Sequence, residues 1–247
     1  MTIGFAGLLS VVWRMFRRDA ALLLPVVGTF VFLPSFAALL LCDPVPPLPT
    51  GPRDEAVMQA WLNNVGLWGQ ANGAWFLLSE LIGTFGVAAV ALFLLEPDRL
   101  TIGQALGLAI VRLVAFTIAT VAIAVPVALG LWMLVLPGLY LQARLIVAIP
   151  AMARHPALRP LASLRLSWKM TKGLDRALTG ALVALFLAHW LVISPLSLAD
   201  AALREGDGNS LALALVNALI AGVGAAYATT TLLLGVVAYR IRASKGT

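Results

Sequence analysis

Long apolar runs, separated by short polar segments, make up most of the chain. Several runs continue for about 20 residues with few or no charges, which is the length that a helix needs to cross a hydrocarbon layer of about 30 Å. The pattern therefore predicts an all-α fold, a polytopic integral membrane helix bundle that forms a single membrane domain over residues 1–247. The predicted transmembrane helices lie near residues 20–42, 74–96, 113–136, 139–153, 177–199 and 211–239.

Amphipathic segments precede three of these spans and predict helices that lie in the membrane interface, near residues 3–18, 53–71 and 158–172. In the third, Pro160 suits the first helical turn and Gly173 suits the C-terminal end. Leu161, Leu164 and Trp168 share one of its faces. The basic residues of the first and third segments recur at helical spacing, and we expect them to contact lipid headgroups: Arg14, Arg17, Arg18, Arg165, Lys169 and Lys172.

The distribution of charge predicts the orientation of the bundle. Residues 154–176 contain six basic residues and one acid, whereas residues 200–210 contain three acids and one basic residue. Basic loops favour the cytoplasmic side of a membrane, so the short fourth span must cross it and both termini are predicted to be cytoplasmic.

Composition narrows the class of protein further. Apolar residues make up 61% of the chain and charged residues 11%, against about 25% charged residues in a typical soluble domain. These values exclude a disordered chain and argue against a water-soluble fold. The net charge of +6 then reflects cytoplasmic loops rather than nucleic-acid binding.

Candidate chemistry is sparse. Neither histidine lies at ligand spacing from the other, from the single cysteine or from an acidic pair, and no nucleophile or phosphate-binding motif occurs. We therefore predict no catalytic residue, no metal site and no cofactor, and a protein that is not an enzyme. Two charges lie within predicted spans, Glu80 and Arg144. They form either an intramembrane polar site or two separate structural contacts.

Residues 136–173 resemble a known family. The sequences LPGLYL at 136–141, AIPA at 148–151 and PLASLRLSWKMTKG at 160–173 are similar to the membrane domain found beside some glycerophosphodiester phosphodiesterases, and to the six-span YciC-type proteins. The resemblance implies a bacterial inner (plasma) membrane protein with no assigned reaction, and it does not imply phosphodiesterase activity. Within it, Pro137, Gly138 and Pro150 are predicted to form a hinge motif, with the break of the third span at Pro137 and Gly138.

Three hypotheses for function remain. The first is a non-enzymatic protein that organises anionic lipids or partner proteins through its basic interfacial helices. The second is a transporter or flippase-like protein for a small molecule or lipid, with a cavity lined by Glu80 and Arg144. The third is an assembly subunit or homo-oligomer, suggested by the small residues Ala218, Gly222 and Ala226 along the sixth span.

Topology can be tested directly. A reporter fused after Gly173 should behave as cytoplasmic, and one fused after Gly206 should behave as periplasmic, because the basic and acidic segments face opposite sides. Alkaline phosphatase and green fluorescent protein fusions would measure this. The opposite pattern would contradict the predicted orientation.

Overall fold

The computed structural model describes residues 4–52, 54–95, 100–205 and 209–244, and these are helical with short connections. The predicted boundaries at residues 3, 53 and 96 lie outside this part of the chain. In chain order the helices are α1 (Phe5–Val27), a π-helical segment (Gly28–Phe32), α2 (Leu33–Leu41), α3 (Glu55–Leu95), α4 (Ile102–Val111), α5 (Leu113–Met133), α6 (Val135–Leu145), α7 (Ala148–Arg154), α8 (Pro160–Met170), α9 (Asp175–Glu205) and α10 (Ser210–Ala243).

Six helical runs in the described residues are long and apolar enough to cross a membrane. They are Phe5–Leu41, Glu55–Leu95, Leu113–Met133, Val135–Arg154, Asp175–Glu205 and Ser210–Ala243. The prediction of an all-α bundle with six spans is therefore confirmed. The fourth run, which is short in the sequence pattern, reaches 20 residues because it begins at Val135 and continues through α7.

Two of the predicted interfacial helices are not separate from the spans that follow them. Phe5–Leu41 is helical throughout, with a π-helical segment three residues after Pro25, and Glu55–Leu95 is one uninterrupted helix. The polar residues near 19 and 72 change the surface of each helix without breaking its backbone. The glycines within these helices do not end them either, because a glycine lowers helix stability by only about 1 kcal/mol.

The break after the third span lies at Leu134, and the prediction that Pro137 and Gly138 break it was wrong. Leu134 is extended, with φ −158° and ψ 136°, and α6 begins at the next residue. Pro137 is tolerated there because the first helical turn has N–H groups without intrahelical partners. Gly138 serves packing instead, since a Cβ on Gly130 would lie 2.8 Å from its Cα atom.

Pro150 lies inside the first turn of α7, after the junction at Ile146 and Val147. A proline at this position has no N–H to donate to the carbonyl of Ile146, four residues earlier. Gly235 of α10 packs against that carbonyl so closely that a Cβ there would collide with its oxygen. The absence of a side chain at Gly235 thus allows α10 to approach the irregular backbone of the fourth span.

The proline-rich segment after α2 is held against α3 by hydrogen bonds. The indole Nε1 atoms of Trp61 and Trp68 donate to the carbonyl oxygens of Pro46 and Asp43, at 3.2 and 2.8 Å. The Asp43 N–H donates to Asn72 Oδ1 at 3.2 Å. These tryptophans therefore fasten an extended segment that has no secondary structure of its own to satisfy its carbonyls.

The start of α4 follows the sequence closely. Thr101 and Gln104 form a capping box, in which the Thr101 N–H donates to Gln104 Oε1 at 2.9 Å and the Gln104 N–H donates to Thr101 Oγ1 at 3.3 Å. This confirms the helix start at Ile102 that the spacing of the two residues predicts.

The core lies where the last turns of α3 and α10 meet α7. Residues 88–92 of α3, 232–239 of α10 and 150–153 of α7 are buried. Alanine and valine supply much of this core. Small side chains allow close approach of helices, which stabilises a bundle whose outer surface is already solvated by lipid.

Replacing Gly235 with alanine should lower the free energy of unfolding in detergent by about 1–3 kcal/mol, because the new Cβ would collide with a backbone oxygen. Gly107→Ala is the matched control, since a Cβ there meets no atom within 4 Å. Denaturant unfolding followed by circular dichroism would compare the two. Equal losses would contradict the close approach of α10 to Ile146.

Candidate functional site

The ends of several helices meet in one region that is rich in lysine and arginine, which we call the basic end (residues 11–18, 100–112, 152–176 and 239–244). Arg240 Nη2 donates to the Leu94 carbonyl at 2.6 Å, which joins α10 to the end of α3. Arg14 and Arg18 line a small cavity together with Arg240. The Tyr239 hydroxyl lies 3.0 Å from His155 Nε2. The segments predicted to be basic and cytoplasmic thus meet at one end of the bundle.

Arg204 belongs to the opposite end. Its guanidinium forms a salt bridge with Asp200 at 3.0 Å and donates to the Leu39 carbonyl at 2.7 Å. Asp43, at the start of the proline-rich segment, lies at this end as well. Apart from Arg144 and Arg204, the described lysines and arginines lie in the segments of the basic end.

Helix α8 packs on the bundle through its hydroxyl side chains. Ser163, Ser167 and Thr171 are spaced by four residues, and each has 0% exposure. Leu161 is 66% exposed and Trp168 is 41% exposed, so much of the predicted apolar face points away from the protein. The headgroup contacts predicted for α8 and the turn that follows it are all exposed: Arg165, Lys169 and Lys172. The outer surface of α8 therefore combines apolar and basic side chains.

Arg144 is the buried charge on which α8 rests. It is 5% exposed, and its Nη2 donates to the Trp168 carbonyl at 2.6 Å. The guanidinium carbon lies 4.4 Å from the centre of the Trp168 ring, which is a cation–π contact. Tyr140 meets the same ring edge-on, with 6.3 Å between centroids. These contacts hold the Trp168 ring in place while leaving part of it exposed.

Ser167 bridges the junction between α6 and α7. Its hydroxyl donates to the Arg144 carbonyl at 2.8 Å and accepts from the Val147 N–H at 3.1 Å. The Thr171 hydroxyl has its shortest acceptor at the Ser167 carbonyl, 2.9 Å away, and also lies within 3.2 Å of the Arg144 carbonyl. The hydroxyls of α8 therefore satisfy backbone groups that the interrupted helix cannot pair by itself.

The hydroxyl face of α8 is the feature that sequence reasoning missed. The signal was present, because Ser163, Ser167 and Thr171 recur at intervals of four and share one side of a helix. The prediction of an interfacial helix used its Leu, Trp and basic residues and named no face that packs on the protein. In lipid, however, apolar side chains gain nothing by facing inward, whereas hydroxyls gain hydrogen bonds.

Five arginines in the described residues donate to carbonyl oxygens in the last turn of a helix, or just after it. The last four carbonyls of a helix have no partner within it, and the helix dipole places partial negative charge there. The donors and acceptors are Arg112 and Met152, Arg144 and Trp168, Arg204 and Leu39, Arg240 and Leu94, and Arg242 and Lys172. Three of these donors, Arg112, Arg240 and Arg242, belong to the basic end, so part of its positive charge joins helices.

The three arginines of α1 have different surroundings. Arg18 forms a salt bridge with the neighbouring Asp19 at 2.8 Å. Arg14 and Arg18 face α10 across a cavity of about 320 Å³. Arg17 is not among the residues that line this cavity, and its exposed side chain has no hydrogen bond or ion pair with the rest of the described chain. The side chain of Arg17 is therefore available to an external anion, as is that of Arg14.

Glu80 and Arg144 are not brought together. Glu80 is exposed on α3, and it forms no ion pair or hydrogen bond with another described residue. Arg144 is bonded to α8, as described above. The shared polar cavity that the transporter hypothesis requires is therefore not formed by this pair.

A neutral polar contact links three spans. Gln142 of α6 and the hydroxyl of Tyr227 in α10 lie 3.4 Å apart, and the Tyr227 ring lies 4.9 Å from the ring of His189 in α9. Within the described ranges, no three His, Cys, Asp or Glu side chains form a group that could hold a metal ion. The geometry of these residues indicates helix packing.

Comparison with known proteins identifies no relative of this chain. No protein-family model, no curated protein and no solved structure matches the chain.

Ser167→Ala should lower the free energy of unfolding by about 1–3 kcal/mol, because it leaves the Arg144 carbonyl and the Val147 N–H with lost or weakened hydrogen bonds in a buried site. Ser163→Ala is the control, since its hydroxyl bonds only the Pro160 carbonyl of its own helix. Unfolding of both variants in detergent would be measured. A loss no larger for Ser167→Ala than for Ser163→Ala would show that Ser167 does not secure the junction.

Proposed function

We propose that this multi-pass membrane protein is not an enzyme and organises anionic lipids through its basic interfacial segments. The observation that carries the proposal is the division of α8 into a hydroxyl face that is buried and an outer surface with apolar and basic residues. Such a surface suits the boundary between acyl chains and phosphates, where apolar and cationic groups are both favourable.

The charge available on this surface supports a preference for anionic lipid. The side chains of Arg165 and Lys169 are exposed and have no hydrogen bond or ion pair with other described residues. The Lys172 side chain is exposed too, although its backbone carbonyl accepts from Arg242. Each basic residue near an anionic surface contributes about 1 kcal/mol of attraction. Three such residues favour anionic over zwitterionic lipid substantially.

The orientation belongs to the proposal as well. The basic end would face the cytoplasm of a bacterium from the inner membrane, with both termini on that side. The support is the concentration of lysine and arginine at one end of the bundle, together with the acidic residues near Arg204 at the other.

The proposed kinship with the membrane domain of glycerophosphodiester phosphodiesterases gains some support from packing. Ser167, Trp168 and Thr171, which carry part of the resemblance, all contact Arg144. Residues whose shared role is to hold α8 on the fourth span fit a structural motif. This is compatible with a family to which no reaction is assigned.

Replacing Arg165, Lys169 and Lys172 with glutamine should reduce the preference for phosphatidylglycerol over phosphatidylcholine. At about 1 kcal/mol for each charge, the affinity ratio should fall by about a hundredfold. Native mass spectrometry of the purified protein with each lipid would measure it.

The matched control keeps the charges but exchanges the residues: Arg165→Lys, Lys169→Arg and Lys172→Arg. This variant should keep the lipid preference of the original protein. If the glutamine variant retained the full preference for phosphatidylglycerol, the proposed lipid function would be wrong.

A further inference from the structure

An apolar cavity lies between α1, α9 and α10, away from α8. Its volume is about 600 Å³, within the range of about 300–1,000 Å³ for pockets that hold small molecules. Leu9, Trp13 and Leu24 of α1 line one wall, and Gly222 and Ala226 of α10 line another.

The cavity offers almost nothing to water. Thr229 and Thr230 are the polar side chains in its lining, and each hydroxyl already donates to a carbonyl of α10, both at 2.7 Å. A buried water needs two to four polar partners, so water is not stable in this space. An apolar group is the occupant that the lining favours.

The cavity is elongated and opens on the outer surface of the bundle. The α10 residues that line it extend from Gly222 to Leu233, which is about 16 Å along a helix. Trp13 is 58% exposed and Leu24 is 57% exposed, so these two residues border its mouth. In a six-span protein this surface faces acyl chains, and a long, thin, apolar chain matches the shape of the space.

One cation is placed beside the mouth. Arg17 lies four residues after Trp13 and seven before Leu24, so the three residues share a face of α1. Arg17 is exposed and has no ion pair or hydrogen bond with another described residue. Arg14, by contrast, lines a different cavity with Arg18 and Arg240.

We propose that this cavity binds one acyl chain of an anionic glycerophospholipid, and that Arg17 binds its phosphate. The site differs from the surface of α8 and goes beyond the function proposed above. It rests on that proposal only in assigning an anionic lipid to the protein.

Native mass spectrometry of delipidated protein with added phosphatidylglycerol would test the site. The unmodified protein should retain one lipid per chain. Gly222→Leu and Ala226→Leu, tested separately, should each weaken that binding at least tenfold, because their side chains enter the cavity. A Cβ at Gly222 meets no atom within 4 Å, so the substituted side chain starts in open space rather than against the backbone of a neighbouring helix. Gly107→Leu on α4, equally unobstructed, should bind like the original protein.

Arg17→Gln should raise the dissociation constant for phosphatidylglycerol about tenfold, the effect of losing a charge-assisted hydrogen bond, and should leave phosphatidylcholine unchanged. Arg14→Gln should change neither value by more than twofold. If Gly222→Leu and Ala226→Leu both bound lipid normally, or if Arg14→Gln and Arg17→Gln had equal effects, the proposal would be overturned.

Two further outcomes separate this site from its alternatives. A protein that is dimeric, becomes monomeric with Gly222→Leu and keeps its lipid would have a second copy in the groove, which also overturns the proposal. The glutamine variant of Arg165, Lys169 and Lys172 should still retain the single lipid in the cavity. If that variant retains the single lipid, the result supports this site. If it also keeps the full overall preference for anionic lipid, the function proposed for α8 is rejected.

Discussion

A helix that ends in or near a bilayer leaves backbone carbonyl oxygens without partners, where little water is present to bind them. In this protein arginine side chains from neighbouring segments bind such oxygens. Arg240 reaches the end of α3, Arg112 the end of α7 and Arg144 the end of α8. Each contact joins a cation to the negative end of a helix dipole, so that an unpaired carbonyl gains a donor and the cation gains an acceptor. The arrangement of the helix ends depends on these bonds.

The same bonds divide the positive charge into two groups. Arginines that bind carbonyls are committed to the fold, whereas Arg17, Arg165 and Lys169 are exposed without described partners. A total charge count would assign both groups to lipid. The structure assigns the second group to the surface, and this is the group on which both proposals for lipid binding rest. Burial of the hydroxyl face of α8 then determines that its cations and its apolar residues point outward together.

Sequence reasoning predicted what depends on local spacing. The six spans, the capping box at Thr101 and the first turn of α8 at Pro160 follow from hydropathy and from residue types at fixed offsets. Sequence reasoning failed at residues whose role depends on a contact with a residue far away in the chain. Gly138 looked like a helix breaker, yet it is a packing surface for α5. Arg144 could have faced a cavity or a backbone carbonyl, and only the position of α8 distinguishes them. The apolar cavity of α1, α9 and α10 required three segments that are far apart in the chain.

We infer that some basic residues hold the helices together while others remain free to face lipid. The free energy of unfolding in detergent, compared between Arg240→Gln and Arg165→Gln, tests it most directly. A hydrogen bond from a charged donor contributes about 1.5–3 kcal/mol, so Arg240→Gln should lower the free energy of unfolding by that amount. Arg165→Gln should stay within about 0.5 kcal/mol of the original protein. Equal losses, or a larger loss at Arg165, would contradict the division.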